Sequence, residues 1–191
     1  LSISLRITNI VVSYYIFLVG HIIMAYILYK AKDWSLFFMN AVWVVIDIIG
    51  IIKWFQCVMK ELFIKMTNIV SEESDDGNRK VGCVIVKGDT IISYGSNTIP
   101  EKVKKLKSRK EKPDKYYWIG HAERNAICDA AKKGISTDDS EMYCSYYPCS
   151  DCAISIIQAG IGKLYTSKPD FNHHKWGESS KRSKKMFEES G

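Results

Sequence analysis

A second C-x-x-C pair is absent from the 191 residues, which removes the four-cysteine zinc ribbon from consideration. Six cysteines are present without a paired framework, so a disulfide-held secreted scaffold is set aside in favour of a reducing interior. Cys57, Cys83, Cys128 and Cys144 then read as small buried apolar residues. No small-residue cleavage site follows a single short apolar core, which argues against a secretory signal peptide. The stretch from Pro100 to Tyr117 has no apolar period and contains neither histidine nor cysteine. Connections of that length in a compact domain are usually functional or mobile.

What is present centres on two short pieces, His121-Ala122-Glu123 and Pro148-Cys149-Ser150-Asp151-Cys152. Zinc favours tetrahedral nitrogen and sulfur ligands, and a catalytic site uses three protein ligands, leaving the fourth position for water. His121, Cys149 and Cys152 make three. With Pro148 in the first helical turn, the two cysteines project near the positive end of a helix, where their thiolates are stabilised. Glu123 sits too close to His121 in sequence to be a comfortable fourth ligand and reads as the general acid/base. A redox pair or a structural metal site is the competing reading of a lone C-x-x-C.

H-x-E followed by P-C-x-x-C is the signature of the zinc-dependent deaminases. The flanking residues Trp118 to Ile127, Tyr146 to Cys149 and Ile156 to Ile161 resemble the deoxycytidylate (dCMP) deaminase family, particularly its phage and bacterial members, over about Met59 to Gly191. Free cytidine deaminases carry a cysteine where this chain has His121, which counts against that branch. The resemblance implies one catalytic Zn2+, hydrolysis of dCMP to dUMP with release of ammonia, a role in pyrimidine nucleotide supply and a cytoplasmic setting. It also implies homo-oligomers, and regulation by a nucleoside triphosphate with Mg2+. It puts the side chain of Asn97, in Gly95-Ser96-Asn97, on the substrate sugar, against a plain reading as a turn residue. Backbone groups at Ala122 and around Tyr147 would fix the base edge. Some relatives hold a second zinc in the loop after Pro100; this loop has no ligands for one.

The phosphate is harder to place. Relatives often carry a basic residue in the turn before the first strand, where this chain has Glu72, Glu73, Asp75 and Asp76. Arg79 or Lys80, Lys132, or the basic loop would have to substitute. Net charge is +6, and residues 101–115 alone hold eight basic and three acidic side chains. That loop would steer a phosphate-bearing substrate or a nucleic acid, or is simply solvated surface. A polynucleotide deaminase acting on transfer RNA or single-stranded DNA is accordingly the alternative, with a membrane-tethered nucleotide-binding module as a third reading.

Residues 1–58 differ from the rest. Ile10 to Tyr29 is apolar apart from His21, and Trp34 to Phe55 is a second apolar run containing Asp47 and Lys53. Either run would cross a hydrocarbon core of about 30 Å at about 1.5 Å per residue, although a carboxylate there is expensive unless paired. Basic residues on every flank give no clear orientation. A hydrophobic helical hairpin attached to the membrane is one reading. Upstream translated sequence is the other, since Met59 to Met66 looks like the opening helix of the family.

From Met59 the pattern is α/β. Strands are expected at Val81 to Val86, Thr90 to Tyr94, Met142 to Ser145 and Lys163 to Ser167. A helix is expected from Ala122 to Lys133 with Ala122, Ala126, Ile127, Ala130 and Ala131 inward, a second carries Cys152 to Ile157, and a last one covers Ser179 to Glu189. His173 and His174 fall in the loop before that last helix and are not taken as ligands. The expected architecture is a three-layer, cytidine-deaminase-like sheet flanked by helices. The chain stops where relatives continue into a further strand.

Overall fold

The computed structural model describes residues 2–191, with side chains described from Val12 onward. It divides into two compact units, Leu1–Lys60 and Glu61–Gly191.

In the first unit, α1 (Ser2–Ala31) is followed by α2 (Trp34–Ser71), which continues into the second. Lys32 ends α1 by adopting φ +58. Its N–H bonds Tyr29 O, and the Asp33 N–H reaches back to Leu28 O at 3.1 Å, the six-to-one closure of a Schellman turn. Asp33 then caps α2, its Oδ1 accepting from the Leu36 N–H at 3.2 Å. The two-helix arrangement read from the sequence is present, but its second member does not stop at Phe55. Residues 55–66 contain neither proline nor glycine, so nothing interrupts the helix. The separate opening helix expected at Met59 is part of α2.

The second unit is built on one mixed sheet of order β2-β1-β3-β4, comprising β1 (Gly82–Lys87), β2 (Thr90–Ser96), β3 (Ser140–Cys144) and β4 (Ile161–Thr166). β1 is antiparallel to β2 and to β3, while β3 and β4 are parallel. Period-two alternation explains how β1 is buried on both faces. Cys83 and Ile85 join Met142, Cys144, Ala122, Ala126 and Ile156 in the core beneath α4 (Ala122–Lys132) and α5 (Ser150–Gln158). On the other face Tyr143 meets Phe63 of α2, with ring centroids 5.3 Å apart. This gives the expected three layers. Gly82 and Gly95 permit them to close up: a Cβ would meet Thr67 O at the first and the Ala126 N at the second, at 1.9 and 2.5 Å.

The remaining elements are α3 (Lys115–Trp118) and α6 (Gly177–Ser190). Three details differ from the sequence reading. Ala131 is exposed rather than inward, because α4 turns the stripe Ala122, Glu123, Ala126, Ile127 and Ala130 toward the core. Pro148 lies outside α5, one residue before its N-cap Cys149. Of the four cysteines taken as buried, Cys83 and Cys144 are, facing each other across β1 and β3, but Cys57 and Cys128 are exposed.

Candidate metal centre

Two helix starts meet at the site. His121 is the N-cap of α4 and Cys149 the N-cap of α5, with Glu123 and Cys152 each in the first turn that follows. Both helices therefore direct the positive ends of their dipoles at the same place. The start of α4 is pinned by Asn125, whose Nδ2 donates to Ser96 O at 2.8 Å. The start of α5 is pinned by α6: Ser179 Oγ accepts from the Ser150 N–H at 2.8 Å, and the buried Ser183 donates to Pro148 O at 3.0 Å.

His121 Nδ1 lies 3.5 Å from Cys149 Sγ and 3.3 Å from Cys152 Sγ, and all three donor atoms fall within 4.8 Å of one another. Bond lengths of about 2.0–2.3 Å to a tetrahedral zinc place neighbouring ligand atoms about 3.5 Å apart. The set therefore fits zinc in donor type, number and spacing.

The electrostatics agree. A hydrogen bond from Cys152, with further help from His121, holds the Cys149 thiol down to about 4. Cys152 is correspondingly pushed up, first by its bond to Cys149 and then by burial. The bond to Cys149 raises His121. Zinc binding would displace the protons that His121 and Cys152 hold in its absence. Glu123 is 4% exposed. Burial pushes its carboxyl up, so it can hold a proton as well as accept one.

His121, Glu123 and Cys149 open onto a cavity of about 390 Å³, within the range of small-molecule sites. Of the residues expected to meet substrate, Arg79, Asn97 and Tyr147 line it. The side chain of Ala122 is fully buried in the core, and the role expected of it is one for its backbone alone. Asn97 is already bonded, its Nδ2 donating to Arg79 O and its Oδ1 accepting from the Val81 N–H, each at 2.8 Å. It thus positions the Arg79 backbone while keeping one N–H and one lone pair. Arg79 stacks over Tyr146 at 5.1 Å.

Lys115, the last residue of the basic loop, lines the cavity; sequence reasoning missed Tyr116, Lys168 and Trp176, which line it too, Trp176 edge-on to His121 at 6.5 Å. His173 lines it too, with Nδ1 accepting the N–H groups of Lys175 and Trp176. Lys80 and Lys132 pair instead with Glu72 and Glu101. Neither lines the cavity.

The long basic loop is folded rather than loose. It contains a 3-10 turn at Lys107–Lys110 and then α3, and the acidic turn before β1 holds it. Lys105 and Lys110 contact the two oxygens of Asp75 at 2.8 and 2.7 Å. Lys115, itself 5% exposed, donates to both oxygens of Asp76 at 2.8 and 2.6 Å. Asp76→Ala strands a buried ammonium, and is expected to cost about 3–5 kcal/mol of stability.

Burial alone would raise Asp75 and Asp76, but the lysine hydrogen bonds outweigh it and hold both below 3.8. Their stabilisation is therefore complete above pH 3.8, the ordinary value regained on unfolding, and is lost as pH falls through the lower folded values. Denaturation midpoints measured at pH 6 and pH 3 are expected to drop further for the natural chain than for Asp75→Asn/Asp76→Asn.

Residues 58–168 match the family described as the cytidine and deoxycytidylate deaminase zinc-binding region. The chain belongs to this family of zinc-dependent deaminases. It is 35% identical over 131 residues to an uncharacterized deaminase in the luxG 3' region of Aliivibrio fischeri, covering 68% of this chain and 86% of that one. It is 33% identical over 111 residues to the deoxycytidylate deaminase of Pongo abelii, covering 54% and 61%. A crystal structure of dCMP deaminase from the cyanophage S-TIM5 in complex with dCMP and dUMP superposes with a TM-score of 0.55 at 29% identity, covering 67% of this chain and 91% of that one. The chain thus spans most of the bacterial and phage relatives but only about three-fifths of the Pongo abelii enzyme.

Proposed function

We propose that the chain is a dCMP deaminase, converting dCMP and water to dUMP and ammonia in the supply of pyrimidine nucleotides. The observation that carries this reading is one cavity lined by His121, Cys149 and Glu123 together with the cations Arg79 and Lys168. The first group suits the cytosine ring and the second a monophosphate. The cyanophage relative, solved with dCMP and dUMP, supports it.

His121, Cys149 and Cys152 would hold the zinc, which when bound supplies a water acidic enough to ionise near neutral pH. Glu123 takes the water proton on its carboxylate and delivers it to N3 of the ring as oxygen adds at C4. Glu123 then takes the remaining hydroxyl proton at C4 and delivers it to the amino nitrogen, so that ammonia leaves as the carbonyl forms. The protein otherwise positions the base: Trp176 and Tyr147 are the aromatic walls beside the donors, and Asn97 retains one donor and one acceptor for the sugar.

A polynucleotide substrate is less well supported. Three of the basic loop's cations are taken by Asp75 and Asp76, and Arg109 lies over the Trp118 ring at 3.7 Å. Half of the loop's eight basic side chains are then engaged within the fold rather than free to track a phosphate backbone. Ammonia release tests the reading. Arg79→Ala is expected to raise KM for dCMP about tenfold or more, the size of one lost charge-assisted contact, and to leave turnover of deoxycytidine unchanged. Equal effects on both substrates would remove Arg79 from phosphate recognition.

A further inference from the structure

The first unit distributes its residues in the reverse of a water-soluble helix pair. Large apolar side chains stand exposed along both helices, among them Ile16, Phe17, Ile23 and Ile27 on α1 and Phe38, Val42, Val45 and Ile52 on α2. The polar side chains are turned inward instead. Asp47 and Asn40 are 6% and 7% exposed. Asp47 Oδ2 lies 2.8 Å from His21 Nδ1, and Asn40 Nδ2 donates to His21 O at 2.6 Å. Trp43 stacks on the His21 ring at 6.2 Å. Close approach is built in at Gly50, where a Cβ would meet the Tyr14 ring at 2.5 Å.

We propose that residues 12–55 span a phospholipid bilayer as a helical hairpin, with His21, Asp47 and Asn40 as the internal clasp that pairs the two helices there. Dimensions and flanks fit this solvent. Val12–Ala31 is a 20-residue apolar segment, about 30 Å at about 1.5 Å per residue, the thickness of a hydrocarbon core. The stretch from Trp34 to Ile52 is similar and carries a single charge, Asp47. Lys30, Lys32 and Asp33 sit at the connection and Lys53 at the far end. Beside the connection Tyr29, Trp34 and Phe37 form an aromatic cluster, with Tyr29 and Trp34 edge to face at 5.9 Å, as interfacial side chains do. Hydrocarbon supplies no partner for a carboxylate, so Asp47 is tolerated only where the other helix brings His21 to it. The apolar exterior meets acyl chains while small and polar groups meet each other inside, which is how helices associate when water is absent.

The test uses the full chain, synthesised in the presence of phosphatidylcholine and phosphatidylglycerol vesicles, floated, and washed with alkaline carbonate. The chain is expected to stay with the vesicles after the wash. Recovery in the wash, or a lipid-free complex of several chains or with an added soluble protein, overturns the bilayer as the partner. The clasp is read from substitutions scored by the same wash. His21→Leu leaves Asp47 without its partner, and is expected to lower the resistant fraction threefold or more. Asp47→Leu is expected to insert at least as well as the natural chain, and His21→Leu/Asp47→Leu to recover its level. A double variant that inserts no better than His21→Leu overturns the clasp.

Discussion

Glu123→Gln is expected to keep one zinc per chain and to lose turnover by about 10²–10⁴-fold, the range for removing a positioned general acid/base. The side chain is nearly isosteric, so the start of α4 and the donor set should survive. What disappears is a carboxyl that accepts and delivers a proton twice in the cycle. Its placement explains why nothing nearby substitutes. Glu123 is buried in the first turn of α4, two residues after the helix-capping His121, and the group is raised by burial. Zinc content by metal analysis and ammonia release on the same sample check this. Retained zinc with activity within a few-fold of the natural chain would remove Glu123 from the chemistry.

Removing the metal is the second large effect. A chelator that strips zinc is expected to abolish deamination completely, and added zinc to restore it. Cys152→Ser should mimic the stripped state, because two remaining donors do not define a tetrahedral site. The sites of proton uptake are His121, Cys149 and Cys152 themselves, which must all be deprotonated to bind. Stripping is therefore expected to be easier at pH 5.5 than at pH 8. Loss of metal without loss of activity contradicts the role of these three residues.

The donor set was legible in the sequence because H-x-E and P-C-x-x-C fix their own geometry. Each motif places its ligand at a helix start, and the two starts have only to meet for the site to form. The β1–β2 hairpin and the helices α4 and α5 were legible for a similar reason, since their periodicities are local. Of the cations lining the cavity, Arg79 was legible, but the burial of Lys115 was not. Lys115 is one lysine in a run of them, and only the fold brings Asp76, 39 residues away in sequence, to bury it beside the cavity. The acidic turn counted against phosphate recognition when read alone, yet it is what holds the loop and Lys115 in place. Trp176 has no local signal at all. In the first unit, Asp47 was conspicuous as a carboxylate in an apolar run, but its pairing with His21 follows from the register of two helices joined by a tight turn.

The most direct measurement is ammonia release by the zinc-loaded full chain, offered dCMP, deoxycytidine and a short cytosine-containing single strand at equal concentration. The account predicts dCMP to be turned over with the highest kcat/KM, and the margin over deoxycytidine to collapse in Arg79→Ala. Turnover of the strand with dCMP left untouched would contradict it, and would assign the basic loop to a polynucleotide instead.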